Sequence, residues 1–501
     1  MSRKLYYSSC SIAAPHIGVI IDDLLAAKQE GHEVYWSFCH NALSSCFMNL
    51  DSHNSICKFC HRMYKEYQKV YGSGIHMLPI NGDDVKKQER TFDFHSVEEL
   101  KNFVYRHVEV GNSILSLYYT VTRDLDMEKF NQFHEFAFPL VTEICNLTDY
   151  MYQFVEEIKP DEIIVHNGRL YENRFLYDIA KVKNIHFKSV ETVGGHGEPY
   201  AKMSYHEVLP QNLKNWTHLV KTTWENSPLP LEEKVRIGSS FYERRRRGEL
   251  VVDVKVYVSN QKKGLLPEDF DPSQRNIAIY TSSQDEIVAL GSDWNYDQLF
   301  PSQSDAIAYI LKHSTDKRIH FYIRIHPNLK GINYKDHLDL YQYDQYPNVT
   351  VIPPESRVSS YDLMDACEKI ITFGSSVGME AVYWGKPSVL IGHSGYEAMD
   401  IAYHVKKLED VMPTVEGNLI PKDRIGAIKY GYFLLDREFK VDRTLTDIGV
   451  KVKRYRWEFI YTSYLKIKNS QTLYQLAHFW YYIILPKFKK PKHPFPWNYN
   501  V

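Results

Sequence analysis

Between residues 276 and 391 the sequence alternates between short apolar runs and segments with helical periodicity. The runs predict strands, and the segments between them predict helices. The predicted strands are 276–280, 319–326, 348–352, 369–373 and 387–391, and the predicted helices are about 303–313, 360–367 and 375–384. Strands that alternate with helices form a parallel sheet covered by helices on both faces. The pattern therefore predicts a doubly wound α/β domain.

The chain opens with a second pattern of the same kind. An apolar run at 5–7, a helix ending near Gln29 and a run at 31–36 predict a βαβ unit, and further strands follow near 162–165 and 186–190. With 501 residues, 44% of them hydrophobic, the chain is long enough for two packed cores. We predict two Rossmann-like doubly wound domains that face each other across a cleft. Residues 1–265 form the first domain, 266–430 the second, and 431–501 C-terminal helices with a basic, aromatic tail.

Charge and hydropathy restrict the function classes. The formal net charge is −2, so no overall field attracts nucleic acid. No apolar run reaches the roughly 20 residues that span a bilayer, which predicts a cytoplasmic protein. Aromatic residues beside lysines at 479–497 suit either the inner face of the cytoplasmic membrane, as a peripheral contact, or a terminal helix packed on the first domain. The run Arg244–Arg247 has acidic neighbours and predicts a solvated helix face.

Two strand ends in the second domain carry polar groups suited to an anion. Arg324 and His326 come at the end of one strand, which Pro327 stops. Ser375 and Ser376 follow another strand end at Gly374 and precede a helix, where backbone N–H groups and the positive helix end favour phosphate. A serine pair before a helix is also a common N-cap. The conjunction of both clusters in one β/α series favours the phosphate site.

Further residues around these strand ends complete the predicted donor site. Glu380 lies on the same helix face as Ser376, and a carboxylate there repels phosphate, so we assign it to a sugar hydroxyl. Ser282 and Ser283 follow the first strand of the second domain and face the same cleft. We also place Asn328 and Glu355 in the donor site, although Glu355 rests on the weaker argument that its turn follows a strand.

Four cysteines lie close together in the segment 39–63: Cys39, Cys46, Cys57 and Cys60. A C-x-x-C pair with two further cysteines in a reducing compartment predicts a structural zinc site with four thiolate ligands, in a cysteine-rich insertion. The spacing matches no zinc module that is diagnostic. The alternative is a set of buried thiols without a metal.

The motifs R-x-H-P-N at 324–328 and F-G-S-S-x-G-x-E-A-x-x-x-G-K-P-S at 373–388 resemble those of capsule and surface-polysaccharide glycosyltransferases of GT-B architecture. They are similar in motif logic to bacterial sialyltransferases and Kdo transferases, whose His-Pro and Ser-Ser pairs hold the phosphate of a CMP-sugar. Transferases that use UDP-sugars place related residues at the same strand ends, so the donor is a CMP- or UDP-sugar. The resemblance implies transfer to a growing capsule polysaccharide, surface polysaccharide or lipid-linked glycan, with no metal cofactor for catalysis. A sugar-nucleotide 2-epimerase and a non-catalytic scaffold of a polysaccharide export complex are the alternatives.

The first domain is expected to hold the acceptor and a general base. Glu172 is the first candidate for the base, followed by Glu191 and His16, because all three lie near predicted strand ends. The run His166-Asn167-Gly168-Arg169 directly follows an apolar strand, and Arg174 comes shortly after it. We place His166, Asn167, Arg169 and Arg174 on the acceptor side.

Overall fold

The computed structural model describes residues 1–11, 14–49, 54–85, 87–123, 125, 130–193, 201–251, 256–283, 291, 294, 297–332 and 335–438. Two six-stranded sheets organise this part of the chain. The predicted tail falls in 439–501, outside the described residues. None of the described helices is long and apolar enough to span a bilayer.

The first sheet has the strand order β3-β2-β1-β4-β5-β6, parallel except for the antiparallel edge strand β6. Its strands are β1 Arg3–Ser8, β2 Glu33–His40, β3 His76–Asn81, β4 Glu162–His166, β5 His186–Val193 and β6 Ala201–His206. The helices along this part are α1 Ala14–Gln29, α2 Asn54–Tyr71, α3 Val97–Lys101, α4 Val110–Thr122, α5 Phe130–Ile158 and α6 Tyr171–Lys183. One apolar cluster packs on each face of the sheet, with Leu5 and Tyr7 in one and Tyr6 in the other.

The second sheet repeats this order as β9-β8-β7-β10-β11-β12, and all of its strands are parallel. Its strands are β7 Arg275–Tyr280, β8 Ile319–Arg324, β9 Val349–Ile352, β10 Lys369–Thr372, β11 Ser388–Leu390 and β12 Tyr403–His404. The helices after α6 are α7 Leu213–Asn226, α8 Leu231–Arg246, α9 Gln303–His313, α10 Lys335–Leu338, α11 Ser360–Ala366, α12 Val377–Tyr383, α13 Val411–Glu416 and α14 Ile425–Glu438. The predicted fold of two doubly wound domains is confirmed.

Helices α7 and α8 lie within the predicted first domain, but they pack on the second. Val220 and Tyr242 share a buried apolar cluster with Met379 of α12 and Phe433 of α14. An added Cβ on Gly238 of α8 would lie 2.2 Å from the α14 main chain, so the two helices are in close contact there. Helices α7 and α8 therefore pack with α12 and α14, although they precede the predicted domain boundary at residue 265.

The segment 39–63 does not form an insertion, contrary to the prediction. Its described residues, 39–49 and 54–63, belong to the end of β2, the loop after it and the first half of α2. Helix α2 lies in the crossover between the paired strands β2 and β3. Parallel neighbours require such a crossover. The segment is therefore part of the first sheet's framework.

Candidate functional site

In each sheet the direction in which successive strands are added reverses once, between β1 and β4 in the first sheet and between β7 and β10 in the second. Ligands of doubly wound sheets bind beyond the carboxyl ends of the strands at such a switch point. In the second sheet, the segments after β7 and β10 border a cavity of about 270 Å³. Seven of the nine predicted donor residues line it: Ser282, Ser283, Arg324, His326, Ser375, Ser376 and Glu380.

Arg324 supplies a buried positive charge to this cavity. Its side chain is 1% exposed and its guanidinium donates hydrogen bonds to the carbonyls of Pro353 and Ser356. Burial lowers its pKa. Within the described part of the chain no carboxylate forms an ion pair with Arg324. The charge of Glu355 acts on Arg324 without forming a salt bridge with it. A buried cation without a salt-bridge partner is costly, so this arrangement favours an anionic ligand.

His326 lies just beyond the end of β8. Its Nδ1 accepts a hydrogen bond from the backbone N–H of Asn328 at 3.1 Å, and its own backbone N–H donates to Thr281 Oγ1 at 3.0 Å. Because Nδ1 is an acceptor, Nε2 carries the proton of the neutral ring. The predicted strand extended to His326, but β8 ends at Arg324 and Pro327 begins a short 3₁₀ turn.

Ser375 and Ser376 form the turn between β10 and α12. Ser375 Oγ accepts a hydrogen bond from the N–H of Val377 at 3.3 Å, and Ser376 Oγ donates to Glu380 Oε1 at 3.1 Å. Gly374 has φ +135°, and an added Cβ would lie 2.7 Å from the carbonyl oxygen of His393. Glycine is therefore required here by both the backbone angle and the close approach.

Glu380 is buried, with 2% of its surface exposed. Three polar side chains contact its carboxylate. Arg245 Nη2 lies 3.2 Å from its Oε1, and the Tyr361 hydroxyl donates to its Oε2 at 2.5 Å. Ser376 completes the set. Arg245 and Tyr361 also line the cavity, and the sequence analysis missed both.

The run of four arginines is therefore not simply a solvated face. Arg245 has only 15% of its side chain exposed and Arg246 pairs with Asp365 of α11. Acidic neighbours in the sequence favoured the solvated interpretation, whereas the true partners lie in the second sheet's helices. No local pattern identified Arg245.

Asn328 and Glu355 do not line the donor cavity, contrary to the prediction. Glu355 is exposed and borders a separate cavity beside Leu329, because Arg324 holds the carbonyls on either side of it. Asn328 engages through its backbone: its N–H donates to His326 and its carbonyl accepts from Arg123. Arg123 also donates to Ser283 Oγ at 2.7 Å and so connects the two domains.

The switch point of the first sheet holds a compact cluster of His16, His166 and Glu191. The rings of His16 and His166 stack with centroids 4.1 Å apart, and His166 Nε2 lies 3.1 Å from Glu191 Oε1. Asn167 donates to the other carboxylate oxygen. Burial alone would raise the pKa of Glu191. The interactions with His166 and His16 outweigh burial and lower the pKa of Glu191 to about 2. Burial and His166 lower the pKa of His16 to about 3.

The two predicted acceptor-side arginines are held by protein partners. Arg174 is buried and pairs with Glu109 at 3.1 Å and Asp178 at 3.0 Å, which satisfies its charge inside the domain. Its prediction as an acceptor ligand does not fit this arrangement. Arg169 donates to Ser116 Oγ at 2.8 Å, and its backbone N–H donates to Asn167 Oδ1.

Glu172 is buried, and its hydrogen-bond partners are not residues of the histidine cluster. Its carboxylate accepts from the backbone N–H of Phe47 at 3.2 Å and from Ser9 Oγ at 3.4 Å. Burial raises its pKa to about 7. These contacts connect α6 to the segment after β1 and to the loop before α2. The role of Glu172 as base stays a prediction.

In the described part of the chain, the cysteines predicted as zinc ligands do not place three sulfur atoms within 4.8 Å of one another. The zinc site stays a prediction. Cys46 and Cys60 contact Cys10, which the prediction did not include, whereas Cys57 accepts from Asn49 Nδ2 at 3.2 Å. Cys39 sits on β2, where burial raises its pKa. Among the described residues, three potential metal ligands do lie within 4.8 Å of one another in the second domain, but none is a cysteine.

Comparison with known proteins finds a family match within the second domain. Residues 254–410 match the family model described as capsule polysaccharide biosynthesis protein. The predicted resemblance to this family is confirmed. No curated protein matches the chain. The matched region holds all the cavity residues from Tyr257 to Glu380, and Arg245 lies outside it.

Solved structures also resemble the chain at low identity. The Thermosulfurimonas dismutans KpsC β-Kdo 2,4-transferase is 14% identical, with 54% of this chain and 79% of that chain covered and a TM-score of 0.37. The KpsC β-Kdo 2,7-transferase of the same organism is 10% identical, covering 56% and 80%, with a TM-score of 0.32. The S. aureus MnaA structure with UDP is 11% identical, covering 91% and 97%, with a TM-score of 0.26.

Proposed function

We propose that the chain is a glycosyltransferase that moves a sugar from a CMP- or UDP-sugar to a growing capsule polysaccharide, surface polysaccharide or lipid-linked glycan. The observation that carries the proposal is the buried Arg324, which has no salt-bridge partner among the described residues, beside His326 and two serines. These residues lie at the switch point of a domain that matches the capsule family. Such a site suits the phosphate of an activated sugar.

On the donor side, Arg324 and the Nε2–H of His326 would stabilise the phosphate as negative charge develops on the leaving group. The hydroxyls of Ser375 and Ser376 border the same cavity. Glu380 is neutralised by Arg245, so the pair presents hydrogen-bonding groups to a sugar hydroxyl without repelling the phosphate strongly. Catalysis by these groups alone, without a metal, stays a prediction.

On the acceptor side, the cluster of His16, His166 and Glu191 would take the proton of the acceptor hydroxyl. The acceptor oxygen forms a bond to the anomeric carbon, the bond from that carbon to the phosphate oxygen breaks, and the nucleotide leaves with the electron pair. An imidazole accepts the acceptor's proton, and the ionised Glu191 stabilises the resulting imidazolium. The proposal therefore assigns the base to the histidine cluster and gives Glu172 a supporting role.

Incubation with a panel of nucleotide sugars, with and without acceptor glycan, tests the proposal. We expect nucleotide release that depends on the acceptor, with the sugar recovered in the glycan. Conversion of the donor to an isomer without an acceptor would instead identify an epimerase. Donor binding without turnover under any acceptor would identify a scaffold, and either outcome would overturn the transferase proposal.

A further inference from the structure

Three metal-ligating side chains meet at the carboxyl edge of the second sheet, outside the donor cavity. His393 follows β11, Glu397 lies in the next turn, and His404 is the last residue of β12. One nitrogen of each ring and a carboxylate oxygen all lie within 4.8 Å of one another. His393 Nδ1 is 2.8 Å from Glu397 Oε2.

The fold itself brings these residues together. Parallel pairing of β11 and β12 places His404 opposite Leu390. Leu390 precedes His393 by three residues. Glu397 is held in a turn in which its backbone N–H donates to the carbonyl of Ser394, and its Oε2 accepts the N–H of Ser394 at 3.2 Å. Two strands and a turn, and not one flexible loop, therefore fix the three side chains.

The burial of the cluster suits a metal ion better than a solvated ion pair. The side chains of His393 and Glu397 are 7% and 12% exposed. Among the described residues, the buried His404 Nδ1 has no hydrogen-bond partner.

We propose that His393, Glu397 and His404 bind a divalent transition cation of the zinc class. Two imidazoles and one carboxylate are ordinary zinc ligands, whereas Mg²⁺ prefers oxygen ligands. Zinc bonds of about 2.0–2.2 Å place neighbouring ligand atoms about 3.0–3.5 Å apart, so a small movement of the side chains closes the site.

The cation would fix the loop around His393, which packs against the turn that carries Ser375 and Ser376. The His393 carbonyl packs against Gly374, immediately before Ser375. Trp294 borders both the donor cavity and the neighbouring cavity that His393 lines. The ion is structural, and its binding does not depend on which reaction the chain catalyses.

Titration of chelator-treated full-length protein with Co²⁺, followed by competition with Zn²⁺, tests the site. We expect about one equivalent of Co²⁺ with the visible absorption of a nitrogen and oxygen site, and Zn²⁺ displacing it. The variants His404→Gln and Glu397→Gln should each weaken binding by more than about 100-fold. The exposed His313→Gln is the matched control and should bind as the wild type does.

Two further readouts keep the outcome decisive. Zn²⁺ should raise the thermal unfolding midpoint of the wild type but of neither variant, because a ligand that binds only the folded state stabilises it. An intense thiolate charge-transfer band as the sole Co²⁺ signal would assign the metal to the cysteines and overturn the proposal. So would the absence of Co²⁺ binding to the wild type, or unchanged binding by both variants; if one variant fails to fold, the other carries the comparison.

Discussion

Arg245 of α8 forms an ion pair with Glu380 of α12, with Nη2 and Oε1 3.2 Å apart. The pair joins a helix from the first half of the sequence to the helix that follows the serine turn. Glu380 is almost completely buried, so its charge depends on Arg245 and on the hydroxyls of Tyr361 and Ser376. The donor cavity is therefore shaped by a contact between segments far apart in the chain.

We expect Arg245→Met to lower the free energy of unfolding by about 2 kcal/mol, since it leaves a buried carboxylate with only hydroxyl partners. In a double-mutant cycle with Glu380→Gln the coupling energy should be about 1–3 kcal/mol, measured by urea unfolding. The exposed pair Arg236 and Glu233 on the same helix is the matched control and should show no measurable coupling. Equal coupling for both pairs would contradict the assignment.

We expect His326→Gln to weaken nucleotide binding by about 10- to 100-fold, the value of one hydrogen bond to a charged group. Calorimetric titration with CMP and with UDP measures this. Glu355→Gln is the control, because Glu355 is exposed and borders a different cavity. If Glu355→Gln weakens binding as much as His326→Gln does, the ligand does not occupy the cavity at the β7/β10 switch point.

The fold could be predicted because it is encoded in local periodicity. The predicted helix 303–313 coincides with α9, and the predicted strand 369–373 differs from β10 by one residue. The predicted helix 375–384 begins two residues early, because Ser375 and Ser376 form the turn before α12. Apolar runs and turn residues act over a few positions, so a single sequence reveals them.

The donor site was predictable where a residue ends a strand, as Arg324 does, or lies in the turn after one, as Ser375 does. Strand order then brings those ends together at one switch point. Arg245 could not be found, because its partner lies in a distant part of the sequence and a run of arginines has no local feature that identifies a buried member. The cysteine prediction relied on proximity in sequence and therefore did not include Cys10, which contacts Cys46 and Cys60 from a distant part of the chain.

We expect Glu191→Gln to lower kcat by about 10²- to 10⁴-fold with little change in the KM for the donor, because the residue supports proton transfer and not donor binding. Steady-state kinetics with the acceptor that proves active measures both constants. Glu157→Gln, an exposed glutamate on α5, is the control. Full turnover by Glu191→Gln together with loss of turnover in Glu172→Gln would return the role of base to Glu172.

The pH dependence of stability provides a separate test for Glu172. Below pH 4.5 its carboxyl is protonated in both the folded and the unfolded chain, whereas between about pH 4.5 and 7 only the unfolded chain releases the proton. The raised pKa therefore makes the free energy of unfolding fall as pH rises through this window.

We expect Glu172→Gln to remove this dependence, so that the free energy of unfolding of the variant relative to the wild type increases by about 2–3 kcal/mol from pH 5 to pH 8. Urea unfolding at the two pH values measures it. Glu143, whose pKa burial also raises to about 7, is present in both proteins and cancels in the comparison. If the free energies of unfolding of variant and wild type differ by the same amount at pH 5 and pH 8, the Glu172 carboxyl ionises alike in the folded and the unfolded chain. Its burial against Phe47 and Ser9 would then have no effect on its titration.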